Sequence, residues 1–133
     1  MLDASEYRTQ AESNEAAAHD VRRNYPDWAV TMCFYSALHW VNYHAANGGI
    51  DIDKNSQYPT PHDKRSDYVR EIASKIKSRD LRKAYDALFE ASMRSRYMRD
   101  IRESAISHYQ FADSSVKSAF EHLSVIRDTL GGN

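Results

Sequence analysis

Apolar residues recur along most of this chain at intervals of three and four, the period that lets one face of a helix meet a core. The first such segment, "DASEYRTQAESNEAAAHDVRRN", is rich in Ala, Glu and Arg. Its apolar positions Ala11, Ala18, Val21 and Tyr25 predict a helix over about 3–24. Pro26 suits the first turn of a second helix, where its missing N–H costs no hydrogen bond. That helix is expected to run to about residue 46 and to stop at "NGG". Trp28, Tyr35, Leu38, Asn42 and Ala45 mark one of its faces, while Met32, Phe34 and Val41 fill others. A helix apolar nearly all round belongs at the centre of a bundle.

A long connection, residues 47–61, ends in two prolines. Loops of this length usually cover or build something. Tyr68, Val69, Ile72 and Ile76 then fit a third helix, and Leu81, Tyr85, Leu88, Phe89 and Ser92 a fourth, with "KSRD" as the break between them. The last helix is expected near Ser107, where "SHYQ" has the form of a capping box. Val116, Ala119, Phe120, Leu123, Ile126 and Leu130 supply its inner face, and "GGN" its stop. The pattern predicts one all-α domain over 1–133, an up-and-down bundle of four to five helices.

Length and composition agree with that picture. At 133 residues, 41% hydrophobic and a net charge of −1, the chain has the make-up of a soluble globular domain. A single cysteine, Cys33, can form no internal disulfide, which together with the lack of a basic and apolar leader in "MLDASEYRTQ" predicts a cytoplasmic setting. The 19-residue uncharged run 28–46 approaches the length of a membrane span. It nevertheless carries Thr31, Ser36, Asn42, His39 and His44, which lipid would leave without partners, so a buried helix is the expected reading and no membrane partner is expected.

Charge is unevenly spread. Residues 62–102 hold twelve Lys/Arg against seven Asp/Glu, or +5, and the rest of the chain carries −6. The densest run, "MRSRYMRDIR", places Arg94, Arg96, Arg99 and Arg102 around Tyr97, an arrangement that fits either a solvated helix face or a patch for an anion or an RNA backbone. Metal binding is not expected: His39 and His44 lie five apart, about 140° round a helix. The calcium-loop-like "DIDKNSQYPTPH" has Ser56 where a glycine is needed and His62 where a glutamate is needed. Cys33, between Met32 and Phe34, reads as an inert buried thiol. His39 shares a stripe with Tyr35 and Tyr43 and must find a partner if buried. His44 shares one with Trp40 near the helix end and is expected to be peripheral. In "RESAISH", Arg102 and His108 offer a cation for a phosphate and a base for a 2′-hydroxyl. A cap at Ser107 would place His108 in the first turn of the last helix.

Three stretches, "PDWAVTMCFYSALHWV", "PHDKRSDYV" and "LRKAYDALFEASMRSRY", resemble the HEPN domains, small all-helical domains of prokaryotes and eukaryotes. The resemblance covers about residues 5–130. It implies a HEPN-like bundle, usually a homodimer, with no cofactor. Many members are metal-independent endoribonucleases of toxin–antitoxin, CRISPR-linked or phage-defence systems, whose active pair is an Arg followed, four to six residues on, by a His. In this sequence the pair is Arg102 and His108, with Glu103 where active members often carry Asn, Asp or His. Other members are non-catalytic and bind nucleotide, RNA or a partner protein such as an antitoxin. For that reading the resemblance points to Tyr35, His39, His62, Arg65, Arg96 and Tyr97, to which the basic run adds Arg99.

Overall fold

A computed structural model describes residues 2–132, apart from the side chain of Asn55. The described residues form seven helices and no strand: α1 (Ala4–Val21), α2 (Pro26–Asn47), α3 (Ile52–Asn55), α4 (Pro61–Lys75), α5 (Arg79–Tyr97), α6 (Ala105–Gln110) and α7 (Asp113–Leu130). The all-α class is therefore as the periodicity predicts, with five long helices. The two short ones were not expected. α3 is a single turn inside the long 47–61 connection, started by the Asp51 side chain accepting from the Asp53 N–H. α6 separates from α7 at Phe111–Ala112, so the last helix begins at Asp113 rather than near Ser107. The cap there is Ser104, whose Oγ accepts from the Ser107 N–H at 3.2 Å. A competing N-cap three residues upstream captured the turn that the "SHYQ" pattern had been assigned. Asn133, the last residue of the expected "GGN" stop, lies outside the described residues, while Gly131 caps α7.

Capping also sets the starts of α4 and α5. Thr60 Oγ1 accepts from the Asp63 N–H and Pro61 occupies the first turn of α4, while Ser78 caps α5 through the Leu81 N–H. α5 ends at Met98, left-handed at φ 55°, and Asp100 follows at φ 61°. Left-handed backbone at residues with a Cβ costs about 1 kcal/mol each, so this corner is held by its surroundings.

α2 is the hub. It packs against α1, α4, α5, α6 and α7, and Ala29, Val30, Cys33, Ala37, Val41 and Ala45 are at most 1% exposed. Ala11 and Ala18 of α1 have no exposed surface and let the two helices approach closely; there Ser36 Oγ donates to the Ala11 carbonyl at 2.7 Å. The predicted inner face of α7 is wholly buried, Val116 to Leu130. One expectation needs correction: α2 is not enclosed all round. Trp28 (56% exposed) and Tyr35 (36%) lie on its outer side. Tyr25, expected on the α1 face, is exposed and precedes α2 as its N-cap residue. No helix among the described residues is long and apolar enough to cross a membrane.

Candidate functional site

Two hydroxyls set the position of the C-terminal half of α5 on α2. Thr31 Oγ1 and Ser95 Oγ meet at 2.7 Å in the buried contact between these helices. Ser95 Oγ also lies 3.1 Å from the Ser92 carbonyl, and Thr31 Oγ1 3.1 Å from that of Asp27. The next residue, Arg96, is thereby turned along the surface of α2. Its Nη1 donates to the Tyr35 hydroxyl at 3.1 Å and its Nη2 to Ser92 Oγ at 3.3 Å. The guanidinium carbon lies 5.4, 5.5 and 5.0 Å from the ring centres of Phe34, Tyr35 and Tyr97. Such a cation among aromatic faces gains roughly 0.5–2 kcal/mol per good contact and is fixed in place without a carboxylate. No acidic side chain pairs with Arg96 among the described residues. Its charge is available to an anion. Tyr97, 62% exposed, offers one ring face beside it.

A second group of polar residues adjoins this one. His62, in the first turn of α4, stacks flat on Phe89 with ring centres 3.6 Å apart and an 11° angle between planes. Phe89 in turn meets Phe34 edge-on at 5.7 Å, so the two groups share an aromatic floor. Burial lowers the His62 pKa, and the charges of Arg65 and Arg96 lower it further against the opposing pull of Asp63 and Asp86. Burial likewise lowers that of His39, helped by Arg65; the His39 ring lies against Tyr7 at 6.4 Å. Arg65 thus stands between His39, His62 and the wholly buried Tyr85. Burial raises the Tyr85 pKa, and Arg65 opposes the rise although the pair falls short of hydrogen-bonding geometry. Seven buried side-chain polar atoms among the described residues have no hydrogen-bond partner. Five belong here: His39 Nδ1, His62 Nδ1, Arg65 Nε, Tyr85 Oη and Arg96 Nε. Unpaired buried groups cost about 1–3 kcal/mol each, and their concentration in one place marks this face off from the rest of the fold.

Of the residues singled out from the sequence, Tyr35, His39, His62, Arg65, Arg96 and Tyr97 therefore lie on adjoining parts of α2, α4 and α5. Arg99 is exposed in the corner after α5, with Asp100 3.9 Å from its Nε. Arg102 is also exposed, in the segment before α6, and makes no ion pair among the described residues. His108 sits in the six-residue α6, not in the first turn of the last helix, because Ser104 rather than Ser107 is the cap. Its ring is edge-on to the buried Tyr109 at 4.8 Å, and Glu103 Oε1 lies 3.5 Å from its Nδ1. The acidic neighbour of Arg102 is thus directed to the histidine.

His44 is half-buried rather than peripheral: its Nδ1 meets the Tyr68 hydroxyl at 2.5 Å. Burial lowers its pKa. Phe34, Ser92, Phe89 and Tyr85 were legible only as core positions, yet they hold the site's cations and imidazoles. A separate open cleft of about 590 Å³ at the α4–α5 turn is rimmed by Arg70, Lys77, Arg79, Arg82 and Lys83, a basic patch that no motif announced. No group of three or more potential metal-ligating side chains occurs among the described residues. The chain matches no protein-family model, no curated protein and no solved structure.

Proposed function

We propose that the chain is a HEPN-like helical module that binds single-stranded RNA or nucleotide on the α5 side of α2. The observation that carries this reading is Arg96, an uncompensated cation held by Tyr35 and Ser92 and placed beside the exposed ring of Tyr97. A phosphate would meet the guanidinium while a base stacks on Tyr97, the combination that serves sequence-tolerant recognition of single strands. Arg99 and Arg102 extend the positive surface. Tyr35 acts by positioning Arg96, and His62, Arg65 and His39 supply further donors. The reading places the protein in the cytoplasm, where RNA is its ligand. The test is fluorescence anisotropy with a labelled oligoribonucleotide. Binding should weaken steeply with salt, and Tyr97→Leu should weaken it by about 5-fold or more, from the ~1–3 kcal/mol of a base–aromatic stack. Salt-insensitive binding, or binding unchanged in both Tyr97→Leu and Arg96→Ala, would refute the assignment.

One contact favours a second reading, metal-independent RNA cleavage of the kind found in toxin–antitoxin and phage-defence systems. A Glu103 carboxylate on the Nδ1 side of His108 favours the tautomer whose Nε2 lone pair accepts a proton. His108 would take the 2′-hydroxyl proton, the 2′-oxygen would attack the phosphorus of a phosphate held by Arg102, and the P–O5′ bond would break to give a 2′,3′-cyclic phosphate and a 5′-hydroxyl that takes its proton from water. Cleavage in EDTA that is lost in His108→Ala and Arg102→Ala supports it; cleavage at wild-type rate in either variant refutes it. An antitoxin protein would be the expected partner in that case.

A further inference from the structure

The open cleft at the α4–α5 turn gathers charge that the fold itself does not use. Arg70 and Lys77 line it from α4 and the turn, and Arg79, Arg82 and Lys83 from α5. Asp86 is the one carboxylate on its lining, and it stands 3.8 Å from Arg82 Nε. The other four cations have no acidic partner among the described residues. A chain whose net charge is −1 thus places a net +4 around about 590 Å³, a volume in the range of small-ligand sites. Like charges so placed repel one another, and a bound anion would relieve them. The backbone beneath favours an anion as well. The Ser78 N–H donates to the Ala73 carbonyl at 2.9 Å and the Lys77 N–H to that of Ser74 at 3.3 Å. Two of the carbonyls that end α4, otherwise repulsive to an anion, are thereby occupied. The same bonds hold Lys77 in left-handed backbone, φ 56°, a position that glycine fills most cheaply. The chain sets an ammonium there instead.

We propose that this cleft binds a ligand carrying two or three condensed phosphates. Charge density selects that class. A single phosphate monoester carries about −1.5 to −2 and would leave half of the cleft unneutralised. A run of condensed phosphates brings further charge into the same volume and offers paired oxygens to the guanidinium forks of Arg70 and Arg79. A nucleic-acid strand spreads its charges along an extended path, and the path along α5 toward Arg96 is interrupted by the exposed Asp86 and Glu90. Arg96 also lies about 25 Å along the helix from Arg79. The cleft is therefore separate from the RNA site and stands whether or not that reading holds.

Isothermal titration calorimetry with inorganic tripolyphosphate, at low salt and in EDTA, tests the site. One tripolyphosphate should bind per chain, and orthophosphate at equal ionic strength should bind at least about 10-fold more weakly. Lys77→Gly with Lys83→Ala should weaken tripolyphosphate by about 10-fold or more. Lys77→Gly alone should weaken it too, yet raise the melting temperature of the free protein, because glycine then fills the left-handed position. A lysine with only a structural role would not divide binding from stability in this way. Asp86→Asn, which releases Arg82, should tighten binding. A nucleoside triphosphate distinguishes the sources of such phosphates. Binding at least as tight as that of tripolyphosphate points to a nucleotide and weaker binding to an inorganic chain; the phosphate chemistry holds in both. No binding of tripolyphosphate, binding unchanged in the double variant, or orthophosphate bound as tightly overturns the proposal. A glutamate decamer bound as tightly, or oligoribonucleotide binding lost in the double variant, would give the cleft to an acidic protein segment or an RNA backbone and overturn it as well.

Discussion

Ser36→Ala isolates the contact that ties α1 to the hub of the fold. Ser36 is wholly buried, and its Oγ donates to the Ala11 carbonyl at 2.7 Å across the α1–α2 interface. The Ala11 carbonyl keeps its place in the α1 ladder, so truncation orphans no group, and the loss is the net value of one buried hydrogen bond, about 0.5–1.5 kcal/mol. Alanine is the better helix former by roughly half a kcal/mol, which conceals part of that loss. Ser124→Ala removes the concealment. Ser124 Oγ donates only to the Phe120 carbonyl one turn back, a local bond at a half-buried site, and its replacement brings the same propensity gain. The two variants should therefore differ by about 1 kcal/mol, with Ser36→Ala the less stable and its melting temperature lower by roughly 3–6 °C for a domain of this size. Urea unfolding followed by circular dichroism at equal m-value measures the difference. Equal stability of the two variants would mean that the interhelical bond contributes nothing, and that Ala11 and Ala18 alone determine how α1 seats.

Acidification should destabilise the fold in a defined window. His39, His44 and His62 all have pKa values lowered from 6.5 by burial. The unfolded chain therefore takes up protons first as pH falls. Stability is complete above about 6.5 and is lost as pH drops toward the lowered folded values, by at most about 1.4 kcal/mol per pH unit for each histidine. Melting temperatures between pH 7.5 and 5.5 should fall accordingly, with a shallower slope in His62→Asn; a rise on acidification would contradict the assignment. Gly131→Ala should cost about 1–3 kcal/mol. A Cβ there would stand 2.7 Å from both the Arg127 carbonyl and Trp40 Cζ3, and the glycine's own φ of −89° makes the effect steric rather than conformational. A melting temperature unchanged by that substitution would show that the end of α7 yields freely.

The helices were legible because their apolar spacing is regular: every residue assigned to the inner face of α7 is buried, as are Leu81, Tyr85, Leu88 and Ser92 of α5. The break at Phe111–Ala112 was not legible. Two serines three apart, Ser104 and Ser107, both satisfy the local rule for a cap, and only packing selects the first. The outer stripe of α2 was misread for a related reason. Trp28 and Tyr35 look like core residues in composition, and a pattern along one helix does not say which of its faces a neighbour will cover. Tyr35, Arg96 and Tyr97 were marked as a group, but not what holds them. That depends on the Thr31–Ser95 contact between positions 64 residues apart, which no local spacing encodes.

The clasp between Arg127 Nη1 and Glu15 Oε2, 2.7 Å long, joins residues separated by 112 positions, whereas Ser36 and Ala11 are only 25 apart. The kinetic consequence differs for the two contacts. The α1–α2 hairpin closes a short loop and can form from local encounters, and so can the pairing of α7 with α5, which lies just before it in the chain. The entropically demanding event is then the meeting of these two local pairs, α7 and α5 closing on α2 and α1. The Arg127–Glu15 clasp belongs to that long-range step, and its loss should leave both local pairs able to form.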